Sequence, residues 1–134
     1  MFDLIEAAED YPAFMPWCAA ATVLERDEGV VVARIGVDYR GARFAFTTRN
    51  PKRRPHWMAI GLEEGPFERF EGEWRLTDLG PDACRIDFEL RYAFGNALLG
   101  RFAGPVFDHI ANTMIDAFVC RAEQIPQPAL GETP

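Results

Sequence analysis

The sequence predicts an α+β domain in which a curved antiparallel sheet wraps round one long C-terminal helix. Three observations carry that reading. Two long runs, Gly65–Thr77 and Cys84–Phe94, alternate apolar and polar residues at period two. Turn residues recur every eight to twelve positions before them, which is the spacing of an antiparallel meander. From Asn96 onward the apolar period lengthens to three and four, which is the period of a helix.

Taken in order, Phe2–Ala8 reads as a short helix with Phe2, Ile5 and Leu4 on its apolar stripe. Tyr11–Trp17 carries Pro12 and Pro16, so it holds one helical turn or an irregular aromatic segment. Ala19–Asp27 is a strand, ended by the turn signal Asp27-Glu28-Gly29. Val30–Tyr39 is a second strand, with Val31, Ala33, Ile35, Val37 and Tyr39 facing inward. Arg40-Gly41-Ala42 turns into Arg43–Asn50, where Phe44, Phe46 and Thr48 share a face. Asn50–Pro55, with two prolines, is expected to be a loop. His56–Glu63 is the next strand, with Met58, Ile60 and Leu62 together.

The two alternating runs then form a hairpin across Asp78-Leu-Gly-Pro-Asp82. Its dry face holds Phe70, Gly72, Trp74 and Leu76 against Cys84, Ile86, Phe88, Leu90, Tyr92 and Phe94. Its wet face holds Arg69, Glu71, Glu73 and Arg75 against Arg85, Asp87, Glu89 and Arg91. The helical stripe that can cover the dry face runs through Leu98, Leu99, Phe102, Val106, Phe107, Ile110, Met114, Phe118 and Ala122. Asn96 suits an N-cap. Gly104-Pro105 predicts a kink, or a lead-in helix followed by a longer one over 105–125 that spans about 30 Å. The domain therefore covers 1–125, and 126–134 reads as a disordered tail.

A sheet gripping a helix leaves room between its layers. Trp17, Phe44, Phe46, Met58, Ile60, Phe88, Phe102, Phe107, Ile110 and Met114 are the candidates to line a ligand cavity there. A solid, packed core would use the same residue types at the same spacing.

The chain has 134 residues, 49% hydrophobic and 26% charged, which suits one soluble globular domain. It contains no apolar run of bilayer-spanning length and no signal-peptide pattern, and the plain reading is a cytoplasmic protein. Its three cysteines, Cys18, Cys84 and Cys120, lack the spacing of a disulfide framework or a zinc site. The net charge of -7 is unevenly spread. Residues 40–54 hold Arg40, Arg43, Arg49, Lys52, Arg53 and Arg54 and no acid, so the remainder stands at 8 basic against 21 acidic residues, or -13. One basic corner on an acidic body suggests an anion-docking surface; a solvated charged loop is the plainer alternative.

Catalytic chemistry finds little support. His56 and His109 each lack an acid at triad or metal-ligand spacing, and no glycine pattern matches a phosphate loop. Glu63, Glu64 and Glu71 are the acid–base candidates, but alternation puts Glu71 on the wet face.

Six segments in order resemble one family: Tyr11–Cys18, Phe46–Asn50, Leu62–Phe67, Gly72-Glu-Trp74, Ala83–Phe88 and the final helix. Together they are similar to the coenzyme Q-binding START-like family of the polyketide cyclase/START superfamily, over nearly the whole chain to about Gln124. The resemblance implies a helix-grip fold, an internal hydrophobic cavity, no catalytic chemistry and no cofactor beyond ubiquinone as a bound ligand. Two branches follow from it. One holds a polyprenyl quinone and supports respiration, with transient contact at the inner membrane; the other consists of bacterial toxins that block the joining of ribosomal subunits. The resemblance implies a strand before the first helix, whereas here Met1-Phe2-Asp3 already belongs to that helix, so either the true start lies further upstream or one sheet edge is exposed. Six strands rather than seven are therefore expected, with an open sheet edge able to recruit a second copy as a homodimer.

For a bound quinone, Trp17 and the proline-containing segment would form a lid, and Arg49, Thr48 or Tyr92 would meet the head group. For ribosome docking, Arg40–Arg54 would contact rRNA phosphates.

Overall fold

A computed structural model describes residues 1–81 and 83–124. The order of elements is α1 (Phe2–Glu6), a 3-10 turn (Ala8–Ala13), β1 (Cys18–Arg26), β2 (Val30–Tyr39), β3 (Ala42–Arg53), β4 (Trp57–Glu64), β5 (Phe67–Gly80), β6 (Ala83–Phe94) and α2 (Ala97–Gln124). The six strands form one antiparallel sheet in sequence order, β1-β2-β3-β4-β5-β6. This is the helix-grip arrangement: α2 lies on the concave face, and α1 with the 3-10 turn closes one end. The expected tail, 126–134, lies outside the described residues.

Local chemistry explains the turns. Arg40 and Gly41 both have positive φ, 50° and 87°, and so make the tight two-residue link between Tyr39 and Ala42. Asp27 Oδ1 accepts from the Gly29 and Val30 N–H groups and fixes the β1–β2 turn. Asn96 Oδ1 accepts from Leu98 and Leu99 N–H at 2.8 and 3.2 Å, so it is the N-cap of α2.

Three sequence expectations need correction. First, β3 does not stop at Asn50 but runs through Pro51 to Arg53. The proline is tolerated because the β3–β4 ladder is open there, between the pairs Arg49–Gly61 and Lys52–Met58, so no bond to β4 is forfeited. Second, α2 is continuous through Pro105, with 28 residues spanning about 42 Å. Proline deprives the Arg101 carbonyl of a donor, but Ala103, Val106 and Phe107 around it are buried in the core, which offsets the missing bond and lets the helix continue. Third, the hairpin turn is narrower than expected, since β5 extends to Gly80 and β6 starts at Ala83.

The core is aromatic. Phe46, Phe67, Phe70, Trp74, Phe107 and Phe118 are buried, and burial of each such side chain contributes about 1.5–3 kcal/mol. A bulge between Phe67 and Arg69 in the β5–β6 register lets Phe67 and Phe70, three apart, both turn inward. Gly72 is required where it stands. A Cβ there would approach the Glu89 carbonyl oxygen to 2.8 Å and the Leu90 side chain to 3.0 Å.

Candidate functional site

Between α2 and the sheet lies a cavity of about 80 Å³. Its walls come from almost every element: Ile5, Glu6, Ala8 and Tyr11 from the N-terminal cap; Val31, Ala33 and Ile35 from β2; Phe46, Thr48 and Asn50 from β3. Met58 and Ile60 of β4, Phe70 and Trp74 of β5, Leu90 of β6, Trp17, and Phe107, Ile110 and Met114 of α2 complete it. The inward alternation of each strand and the i, i+3, i+4, i+7 steps of α2 bring these side chains together. The lining is overwhelmingly apolar, with a few polar groups at one end.

Seven of the ten residues nominated from sequence therefore lie on the wall: Trp17, Phe46, Met58, Ile60, Phe107, Ile110 and Met114. Three do not. Phe44 is half-buried in an aromatic cluster, with ring centroids 5.8–6.2 Å from Phe46, Phe67, Phe94 and Phe107. Phe88 stacks on Trp74 at 4.2 Å and is not part of the cavity lining. Phe102 is 70% exposed, because the inward stripe of α2 passes through Ala103 and Phe107 and carries position 102 to the solvent side.

Of the polar end, the sequence singles out Thr48 but not Asn50, Glu6 or Tyr11. On β3 the inward positions change character along the strand: Phe44 and Phe46, then Thr48, Asn50 and Lys52. Had Asn50–Pro55 been read as strand, the alternation would have exposed this switch. Lys52 is correspondingly buried, its side chain 2% exposed, and its Nζ lies 2.9 Å from Glu6 Oε1. Glu6 also accepts from Arg54 Nη1 at 2.6 Å, and Arg54 donates to Asp3 as well. Further along, Arg26 makes a two-pronged pair with Glu9, at 2.7 and 2.9 Å, and donates to the Glu6 carbonyl. That pair holds the Glu9 carboxyl below its ordinary range, chiefly through the Arg26 hydrogen bond. Tyr11 donates to the Ile5 carbonyl, and burial pushes its phenol well above the usual value. Burial likewise pushes the neighbouring Cys18 thiol up to about 11, which disfavours its thiolate.

These ties engage much of the basic run 40–54. Lys52 is an internal strut. Arg49 is occupied by Glu63 at 3.0 Å and Glu25 at 3.4 Å, Arg54 by Glu6 and Asp3, and Arg43 by Asp38 at 3.2 Å. Arg40 lies over the Tyr39 ring and Arg53 over the Trp57 ring, both exposed. Of the three head-group candidates, Thr48 is on the cavity wall. Arg49 points outward to its acids, and Tyr92 donates to Asp108 beside Phe107, outside the lining.

The other titratable candidates are remote from the cavity. His56 Nε2 lies 2.9 Å from Asp78 on an exposed rim, and His109 stacks on Tyr39. Glu71 is held by Arg69, which keeps its carboxyl low, and Glu63 is held by Arg49. Among the described residues, no cluster of three potential metal ligands occurs and no helix is long and apolar enough to cross a membrane.

Residues 1–119 match the family described as polyketide cyclase / dehydrase and lipid transport. The chain belongs to this family. Among its curated relatives, the ribosome association toxin RatA of Pseudomonas aeruginosa is 38% identical over 125 residues, covering 93% of this chain and 87% of that protein. The mitochondrial coenzyme Q-binding protein COQ10 homolog B of Xenopus laevis is 26% identical over 129 residues, covering 93% of this chain and 53% of that protein. Among solved structures, the Zhui aromatase/cyclase of Streptomyces sp. R1128 superposes with a TM-score of 0.73 at 20% identity, over 92% of this chain and 84% of that one. That last likeness establishes the fold.

Proposed function

We propose that this member of the family binds an apolar ligand in the cavity without transforming it. A polyprenyl quinone of the ubiquinone type is the best-supported occupant, and respiratory electron transport the process served. The observation that carries the reading is the cavity itself: an apolar space walled by the N-terminal cap, the sheet and α2, with polar groups at one end. The family's description as lipid transport and the coenzyme Q-binding relative support it. Non-catalytic binding is favoured because neither histidine reaches the cavity and its one carboxylate, Glu6, is tied to Lys52 and Arg54.

Size sharpens the proposal. About 80 Å³ compares with the roughly 150 Å³ that accommodates a benzene ring. At about half that volume the cavity must widen even for a ring or the first isoprene unit, and a longer tail needs a wall to yield. The N-terminal cap is the wall made of short elements held by ion pairs, most of them exposed. Each further CH₂ taken out of water adds about 0.8 kcal/mol to binding. Organic extraction of the purified protein followed by mass spectrometry is the test. Co-purifying quinone, or uptake of added ubiquinone near one equivalent, is expected. Absence of both at tens of micromolar protein overturns the reading.

A second reading, association with ribosomes, is favoured by the 38% identity to a ribosome association toxin. With Lys52 internal and Arg43, Arg49 and Arg54 paired, Arg40 and Arg53 would be its phosphate contacts. Co-sedimentation with ribosomal subunits should then weaken steeply with salt. It should be lost in Arg40→Glu/Arg53→Glu; unchanged binding removes this surface from consideration.

A further inference from the structure

We propose that Asn50 accepts a hydrogen bond from a ring hydroxyl of the cavity ligand, so that between a quinone and its reduced form the site prefers the hydroquinone, whose phenolic O–H can donate. The inference rests on the ligand-binding reading above and specifies its polar contact.

Asn50 sits on β3 between Thr48 and Lys52 at the polar end of the cavity wall. Its Oδ1 is buried and, among the described residues, is the buried side-chain oxygen or nitrogen left without a hydrogen-bond partner. A buried acceptor with nothing to accept from is costly, and a fold seldom retains one without use. The amide's other end decides its orientation. Nδ2 lies 3.9 Å from Met58 Sδ. A thioether sulfur can accept but has no proton to give, so only this orientation gives the amide a partner on that side. The nitrogen therefore stays on the sulfur, and the oxygen remains the free group.

An acceptor selects a donor. A quinone ring offers carbonyl oxygens only, whereas a hydroquinone or phenol offers O–H. Nearby charge does not compete for the role: Lys52 is committed to Glu6, and Tyr11 donates to the Ile5 carbonyl.

The test is a matched ligand pair. 4-Hexylphenol and 4-hexylanisole share an apolar body, and in the anisole a methyl group replaces the hydroxyl proton; the size difference is common to wild type and variant and cancels in the comparison of ratios. Binding of each is measured by calorimetry to the wild type and to Asn50→Leu. One neutral hydrogen bond corresponds to about five- to tenfold in affinity. The wild type is expected to prefer the phenol by that factor, relative to the ratio shown by Asn50→Leu. If the leucine variant does not fold, Asn50→Ala provides the reference. Equal ratios in wild type and variant overturn the role of Asn50 and leave the carrier reading standing, with water satisfying the amide. Failure of both ligands to bind the wild type overturns both.

Discussion

Replacement of Lys52 by methionine separates an internal strut from a surface cation. The Lys52 ammonium is buried against Glu6 at 2.9 Å, and the Glu6 side chain is itself 13% exposed. Methionine keeps most of the stem's volume and removes the charge. Breaking a buried ion pair from one side costs about 3–5 kcal/mol when the remaining charge is stranded. Glu6 is not wholly stranded, because Arg54 Nη1 still lies 2.6 Å away. The expected loss is therefore about 2 kcal/mol, or roughly 8 °C in Tm for a domain of this size. Thermal denaturation followed by circular dichroism at neutral pH measures it, with Arg53→Ala as the exposed control, expected to stay within about 0.5 kcal/mol of wild type. Lys52→Glu would set two carboxylates together in that site and should be far more damaging. If Lys52→Met melts within about 2 °C of the wild type, the strut argument is wrong.

Other outcomes follow from the same geometry. Ala33, buried on the cavity wall, can be enlarged: Ala33→Leu should fill much of the space, lower ligand affinity at least tenfold and leave Tm near the wild-type value; retained affinity argues against this binding site. Phe102→Ser should change neither Tm nor ligand binding, since that ring faces solvent; a fall of several degrees would return Phe102 to the core. The Glu9 carboxyl is held below its ordinary value of 4.5 by Arg26, so this contribution is present at neutral pH and disappears as pH falls through the lowered value. Both side chains are over a third exposed, so it is worth about 0.5 kcal/mol at most. The stability gap between wild type and Arg26→Ala should close as pH drops below 4.5; a gap constant with pH contradicts the assignment.

Much of the architecture was legible because it depends on periodicity. The hairpin of β5 and β6 and the stripe of α2 are long enough for periodicity to name most of their buried faces, though Cys84, Leu98 and Phe102 are exposed, and Asn96 announces the helix start. The readings that failed did so where tertiary context overrides a local rule. Pro51 signals a loop, but it falls in a gap of the β3–β4 ladder and costs no bond there, so the strand continues and carries Lys52 inside. Pro105 signals a break, yet burial on both sides outweighs one missing hydrogen bond. Phe67 and Phe70 share a face only through a bulge, which alternation cannot anticipate. For the site, the apolar wall was visible in outline, whereas its polar end depended on the true end of β3. The pairing of Arg49, Arg54 and Lys52 with acids distant in sequence could not be read from charge runs. The run 40–54 looks basic only until the fold brings Asp3, Glu6, Glu25 and Glu63 to it.

Tryptophan fluorescence offers the most direct test of the central claim that an apolar guest enters between sheet and helix. Of the three tryptophans, Trp17 and Trp74 line the cavity, while Trp57 donates to Glu73 outside it. In Trp57→Phe, therefore, every remaining indole faces the proposed ligand. Titration with a short-chain ubiquinone should quench this variant saturably at one equivalent, and Ala33→Leu added to it should abolish the saturable phase. Quenching that rises linearly with quinone and is indifferent to Ala33→Leu would mean collision at the surface, and an interior that admits nothing.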